Sequence, residues 1–392
     1  MVSEQSEIIV IGAGMVGAAA ALSLARSGFQ VTLIEAGEIP QWSAERYSLR
    51  VSAISASSEQ LLDDIGVWQE IVKCRVSPYE RMHVWDAGGS GQLDFDAAES
   101  GLPGLGYIVE NDLINATLIE HIEKQSNISM ITGSRLDAMA WQENIVQIRL
   151  DNGEEIGGGL LIAADGGRSK VRELCGINSD VHDYQQTGIV ARVQTSLPHQ
   201  HTAWQRFLAT GPLAFLPLAD GSCSIVWSVD QGLAAELLDI DEAAFCRRLE
   251  QAFEHRLGNV ELLSQRAGFP LMMANAESYS TERVVLLGDA AHRVHPLAGQ
   301  GVNLGFQDVS ELCPLLLEAV AKGRQLADPM YLRKYARRRR AEASLMLAGM
   351  DGIKRIFASQ QGLVCQSRNI AFDLINQLTV VKEFFVNRAL GS

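Results

Sequence analysis

Residues 8–22 read IIVIGAGMVGAAAAL. The aliphatic run at its start has the character of a strand buried on both faces in a parallel sheet, and the alanine-rich run after it continues as a helix that Gly28 ends. Between the two, Gly12 permits a tight turn, Gly14 lets backbone approach a pyrophosphate, and Gly17 allows close packing of helix on strand. The helix N-terminus then faces the phosphate charge. A second strand, QVTLIEA (30–36), ends in Glu35, where a carboxylate can accept both hydroxyls of an adenosine ribose. Strand, glycine turn, helix, strand and acid together predict an α/β dinucleotide-binding unit. They do not separate NAD(P) from FAD.

Further along the chain the pattern departs from consecutive β-α units. RYSLRVSAISASSEQLLDDIGVW (46–68) is a loop followed by a helix bearing Leu61, Leu62, Ile65 and Trp68. GGGLLIAADGGRSKVREL (157–174) is a buried strand ending in Asp165-Gly166, with Arg168 and Arg172 close behind. In ERVVLLGDAAHRVHPLAGQGVNLGFQD (282–308) a strand ends in Gly288-Asp289, and a Pro/Gly loop leads to another helix near Asn303. A carboxylate leaving a strand can accept from the hydroxyls of a ribityl chain. Gly299 and Gly301 let backbone come close to a flat ring, and the next helix N-terminus stabilises negative charge on a reduced flavin. NAD has neither the ribityl chain nor that anion, so this stretch decides for FAD.

These three motifs, in this order and at these separations, resemble the FAD-dependent aromatic monooxygenases of the para-hydroxybenzoate hydroxylase fold. Ala164 stands where many members have Gly before the Asp-Gly pair, a mild change. Within that family, LRVSAISASSEQLLDDIGVW (49–68), LGYIVEND (105–112) and HPLAGQGVNLGFQD (295–308) are similar to the ubiquinone-biosynthesis hydroxylases. YIVEND, WQRF (204–207) and NRALG (387–391) lean toward the demethoxy-ubiquinol type, and the likeness extends through the tail YLRKYARRRRAEASLMLAGMDG (331–352).

The resemblance implies an α/β fold: a Rossmann-like FAD-binding domain at 1–75, 102–178 and 275–325, an inserted mixed β-sheet substrate domain at 76–101 and 179–274, and a helical C-terminal region at 326–392. It also implies a cycle in which NAD(P)H reduces FAD, O2 adds, and a flavin hydroperoxide passes OH to the ring of a polyprenylated phenol or quinol. No metal or protein nucleophile is required.

Gly12, Gly14, Gly17 and Glu35 are expected at the ADP half of FAD, Arg50 near the pyrophosphate or ribityl chain, and Gly288-Asp289 at the ribityl. Pro296, Gly299, Gly301 and Asn303 are expected at the isoalloxazine ring. Asp165 and Arg168 serve FAD or the transient nicotinamide cofactor. Gln205, Phe215, Pro217 and Trp227 are the expected substrate residues, because GPLAFLPL (211–218) resembles the family stretch over the flavin. The Pro296 carbonyl is expected to orient the phenol, and with Phe215 and Gln205 makes the catalytic set. For Phe215 and Trp227 the competing reading is plain sheet core. His292 and His295 look like a metal or catalytic pair, but the resemblance implies instead that His292 packs the loop, and Arg46 is placed near the flavin edge only by its loop.

Other features bound the partners. The net charge of −14 argues against binding a nucleic-acid backbone. Apolar residues at 47% and charged residues at 20% belong to an ordinary globule. Six scattered cysteines without a CxxC, and an N-terminus without a basic-then-apolar leader, point to free thiols and a cytoplasmic protein. RKYARRRR (333–340), followed by Met346, Met350, Ile353 and Phe357 on one helical stripe, is either a mount for an anionic membrane surface or partner, or a helix packed on its own FAD domain. The run IAFDLINQLTVVKEFFVNRAL (370–390) is a further candidate contact, and a biosynthetic complex is a further expectation. Pro314 inside the last helix of the FAD domain predicts a kink or break near Cys313.

The same fold also allows hydroxylation of a small soluble phenol, or a non-catalytic prenyl-ligand binding protein. The intact flavin loops argue against the second.

Overall fold

A computed structural model describes residues 6–89, 91–293 and 301–358. Ser6–Ile11 and Val31–Glu35 are neighbouring parallel strands, joined by the helix Met15–Arg26. Glu155–Ala163 lies on the other side of the first strand, Val284–Leu286 beyond it, and Ile128–Thr132 outside Val31–Glu35, all parallel. An antiparallel pair, Leu136–Gln142 and Ile145–Leu150, leads into Glu155–Ala163. The inner strands are apolar on both faces because helices cover both: Ile8, Ile9, Val10, Leu160, Leu161 and Ile162 are wholly buried.

A second, mixed sheet has Ser179–Thr195 and Cys223–Asp230 at its centre, continued through Gly211–Pro217, Thr202–Leu208, Arg81–Asp86 and Gln92–Asp96. On the other side of Ser179–Thr195 lie Ala267–Ala276 and then His292–Arg293. Just past Gly288-Asp289, therefore, the chain steps onto the edge of the mixed sheet. A small third sheet of Val51–Ile54, Gly106–Glu110 and Ser77–Tyr79 stands between the two.

The C-terminal helix Pro329–Ala358 packs onto the parallel sheet's core through Tyr331, Leu332, Tyr335 and Ala343. The buried stripe therefore begins ahead of the basic cluster and runs through it rather than following it. Met346 packs beside Leu304 and Leu347, whereas the side chains of Met350, Ile353 and Phe357, and all of residues 370–390, lie outside the description.

Of the kink or break expected near Cys313, the break does not occur. The helix Gly301–Ala321 runs through Pro314. Pro314 and Ser310, whose carbonyl would have accepted the missing N–H, are both exposed, so water can satisfy that carbonyl at little cost.

Candidate functional site

Three motifs separated by more than a hundred residues each are brought together by three adjacent parallel strands. Gly12 N donates to the Ile34 carbonyl at 2.7 Å, Ala164 N to Ile11 and Leu287 N to Ala163, both at 2.8 Å. These bonds hold the glycine turn, Asp165-Gly166 and Gly288-Asp289 in one row at the carboxyl ends of the strands, where open α/β sheets bind their ligands.

The glycines there divide by task. Gly12 has φ of +100°, and a Cβ on it would lie 2.4 Å from the Ala164 carbonyl oxygen. A Cβ on Gly17 would lie 1.9 Å from the Gly12 carbonyl oxygen, so neither position admits a side chain without moving backbone. Gly14 is different: its Cβ would meet nothing within 4 Å, and it caps the helix Met15–Arg26 with no side chain bonded to the cap and no acid in the first turn. Backbone donors are thus left facing open space, the surroundings a pyrophosphate needs.

Glu35 reaches back from the second strand. Its Oε2 accepts from Ala13 N at 2.7 Å and its Oε1 from Gly37 N at 2.9 Å, which fixes the carboxylate beside the glycine turn.

A cleft of about 410 Å³ runs between the parallel and the mixed sheet. Gly14, Arg50, Gly288, Asp289 and Gly301 line it, and Ala164 and Gly166 line it on either side of Asp165. Oδ2 of Asp165 accepts from Val171 N at 3.2 Å, while its Oδ1 is buried with no hydrogen-bond partner among the described residues. Burial holds this carboxyl above the usual carboxylate range, despite the bonds from Ser169 and backbone that oppose the shift. An unfilled backbone cradle and an unpaired buried oxygen fit a cofactor with a pyrophosphate and donor hydroxyls. The guanidinium of Arg50 lies 5.4 Å from the centre of the Phe269 ring, across the cleft on the mixed sheet.

Strand parity decides which residues of the mixed sheet can reach this space. Gly188, Val190, Ser224 and Val226 line the cleft. In register with Val226 stands Ala214, and in register with Ala214 stands Gln205, so Gln205 shares the cleft-side face. Phe215 pairs with Ile225, Trp227 with Ile189 and Leu213, and Pro217 with Cys223, all on the opposite face. There Phe215 is fully buried and stacks on Phe253, with ring centres 4.0 Å apart, and Trp227 packs against Phe245. Phe215, Pro217 and Trp227 therefore belong to the core behind the sheet rather than to the cleft. The cause is the two-residue period of a strand, which sends neighbours in GPLAFLPL to opposite sides.

Asn303 also departs from its expected place. Its side chain is buried, accepts from Ser55 N at 3.2 Å and Ser58 Oγ at 2.8 Å, and donates to the Ala53 carbonyl at 2.8 Å. It is a bracket between the helix Gly301–Ala321 and the strand Val51–Ile54, not a residue of the cleft wall. Arg168 is exposed and does not line the cleft; Arg172 instead ties the two motif loops, donating to the Ala290 carbonyl at 2.8 Å and the Gly167 carbonyl at 2.9 Å. Pro296, Gly299 and His295 lie outside the described residues. The main chain of Arg46 is held by Arg75, which donates to its carbonyl and, through Nε at 2.7 Å, to the buried Glu110.

His292 packs inward. Its Nε2 donates to Oδ2 of Asp308 at 2.7 Å, with both side chains almost wholly buried. Burial alone would raise the Asp308 carboxyl, but His292 and Arg339 outweigh it and hold the group below the usual carboxylate range. Asp308 ends its motif with no local signal of a role, and Arg339 is hidden in a run of four arginines. Its one available signal is the four-residue spacing from Tyr331 through Tyr335 to Ala343 and Leu347, all buried. Arg293, which lines the cleft and donates to the Pro270 carbonyl at 3.3 Å, carried no sequence signal of its own.

Comparison with known proteins adds three findings. A protein family described as FAD binding domain matches residues 5–349. The chain is 36% identical over 392 residues to 3-demethoxyubiquinol 3-hydroxylase of Escherichia coli (strain K12), covering 100% of both chains. It is also 36% identical over 430 residues to ubiquinone biosynthesis monooxygenase COQ6, mitochondrial, of Danio rerio, covering 97% of this chain and 89% of that one. Among solved structures, p-nitrophenol 4-monooxygenase PnpA from Pseudomonas putida DLL-E4 superposes with a TM-score of 0.80 at 20% identity, covering 99% of this chain and 98% of that one; it shares the fold.

Proposed function

The chain belongs to the FAD binding domain family of aromatic-ring monooxygenases, and from that premise we propose that it hydroxylates the ring of a polyprenylated phenol or quinol intermediate of ubiquinone biosynthesis. The observation that carries this reading is the 36% identity, over 100% of both chains, to a 3-demethoxyubiquinol 3-hydroxylase.

In this reading the chain's own residues bind, orient and shield. Backbone donors at Gly14 and the first turn of Met15–Arg26 hold the pyrophosphate of FAD, with Gly12 and Gly17 shaping the turn and Glu35 taking the adenosine ribose. Asp289 would accept from the ribityl hydroxyls, Arg50 would add positive charge nearby, and Gly301 would face the flat ring. Asp165 accepts a hydrogen bond from the cofactor or from NAD(P)H. When bound, FAD supplies the redox chemistry, with NAD(P)H as the reductant and O2 as the source of the oxygen atom.

The ring to be hydroxylated is held against the cleft side of the mixed sheet, where Val190 and Val226 exclude water and Ser224 and Gln205 offer polar atoms. The Pro296 carbonyl is the proposed acceptor for the phenol hydroxyl.

The substrate's tail asks for a lipid surface. Arg333, Arg337 and Arg340 are exposed on the C-terminal helix, while Lys334 and Arg338 pair with Glu318 and Glu311, and no described helix is long and apolar enough to cross a membrane. That outward stripe supports peripheral contact with an anionic bilayer, expected as co-sedimentation with phosphatidylglycerol vesicles that added salt abolishes.

The deciding experiment follows NADH or NADPH oxidation and oxygen uptake by the flavin-loaded protein, with and without a short-tailed demethoxy-ubiquinol. Stimulated turnover with a product heavier by one oxygen atom is the expected result, and fragmentation gives the ring position. Turnover of small phenols but of no prenylated ring would sink the proposal. Asp289→Ala is expected to strip flavin from the purified protein; a fully yellow variant would remove Asp289 from the site.

A further inference from the structure

We infer that the C-terminal helix Pro329–Ala358 is part of the flavin site, with Arg339, acting through Asp308, as the residue that positions the Gly288-Asp289 turn in the cleft. This rests on the assignment of Gly288-Asp289 to the flavin half of the cofactor.

Asp308 sits directly behind the turn. One of its oxygens, Oδ2, accepts from Gly288 N at 2.8 Å and from His292 Nε2 at 2.7 Å, so both ends of the five-residue stretch carrying Asp289 are pinned to a single atom. The other, Oδ1, is taken by Nε of Arg339 at 2.7 Å. Asp308 and Arg339 are 0% and 3% exposed, respectively. A buried carboxylate without its cation would take up a proton or turn toward another donor, and either change withdraws the acceptor from Gly288 N.

The helix grips the same strand end a second time. Tyr335 donates to the Leu286 carbonyl at 2.9 Å, just ahead of the turn, and Arg339 also donates to the Leu304 carbonyl at 3.2 Å on the helix that follows. The glycine turn and Glu35 make none of these contacts. The helix should therefore govern the flavin half of the cofactor and leave the ADP half alone.

The test compares the affinities of the cofactor-stripped full-length chain for FAD and for ADP, measured by fluorescence titration. Asp308→Asn and Arg339→Gln are expected to weaken FAD by at least about tenfold, the scale of one misplaced charge-assisted hydrogen bond, and to change ADP affinity less than about twofold. Arg339→Lys, which keeps the charge but not the planar donor geometry, is expected to fall between wild type and Arg339→Gln. Should Arg339→Gln fail to fold, a Lys variant with weakened FAD and unchanged ADP affinity still carries the inference.

Unchanged FAD affinity in these variants, or equal weakening of FAD and ADP, overturns it. Asp289→Ala separates the two levels. FAD affinity retained there removes the site assignment and the inference with it, whereas loss there with none in the Asp308 and Arg339 variants overturns the inference alone.

Discussion

The parallel sheet meets the cleft with the ends of its strands, and the mixed sheet meets it with a face. At a strand end the chain must turn, so backbone groups and one carboxylate per turn are presented at a position fixed by the ladder beside them. On a face, every second residue is presented, and its neighbours are buried behind. The first arrangement suits a cofactor whose atoms must be held in place. The second suits a substrate whose shape is matched by small side chains, here Gly188, Val190, Ser224 and Val226.

That contrast can be broken most sharply at the back of the mixed sheet. Phe215→Ala removes a fully buried ring stacked on Phe253 and is expected to cost about 3–5 kcal/mol of stability in denaturant titration, with KM for the ring substrate little changed in the protein that remains folded. A large KM effect at full stability would return Phe215 to the cleft side.

At the strand ends, Gly12→Ala forces a side chain onto a positive φ and against the Ala164 carbonyl. It is expected to cost at least about 2 kcal/mol and to abolish FAD retention, measured by flavin absorbance of the purified protein. Normal flavin content would mean that this backbone is not the constraint it looks to be.

Val226→Leu, on the cleft side, should leave stability within about 1 kcal/mol and raise KM more than it lowers kcat, because it narrows the space for the ring without touching the strand ends. A KM equal to that of the wild type with several ring substrates would take Val226 off the substrate wall.

The smallest effect is electrostatic. Burial raises the folded-state carboxyl of Asp165 above its ordinary value, so the folded protein binds that proton more tightly than the unfolded chain and loses stability as pH rises through the folded value. Asp165→Asn is therefore expected to be slightly more stable than wild type at neutral pH, with the advantage vanishing as pH falls below the ordinary carboxylate range. Urea titrations at neutral and acidic pH read this difference, and a variant less stable at pH 7 would contradict it. Asp308 has the opposite sign. Its lowered carboxyl stabilises the fold at neutral pH, and that contribution is lost as pH falls through the folded value.

What could be read in the chain follows from how local each feature is. The glycine turn, Asp165-Gly166 and Gly288-Asp289 were legible because each is a short backbone requirement written in consecutive residues. The substrate face was only half legible. Alternation in GPLAFLPL shows that Phe215 and Leu216 point apart, but in a sheet covered on both sides each face is apolar, and nothing local says which one meets the cleft. Asn303 was placed by its motif on the flavin, yet its amide bonds to Ala53, Ser55 and Ser58, some 250 positions away in the chain. Pro314 reads locally as a kink or a break, but the cost of a missing N–H depends on whether water can reach the freed carbonyl, and exposure is a tertiary property.

By itself, then, the sequence determined the parallel α/β unit, the order of its three cofactor motifs and the alternation within each strand, since these depend on backbone sterics and on periods of two and 3.6 residues. Only the tertiary structure decided that the three motifs are neighbours, that Phe215 and Trp227 face away from the cleft, and that of four consecutive arginines it is Arg339 that turns inward to Asp308. Those outcomes depend on which surfaces meet, and a surface is assembled from residues that the chain keeps far apart.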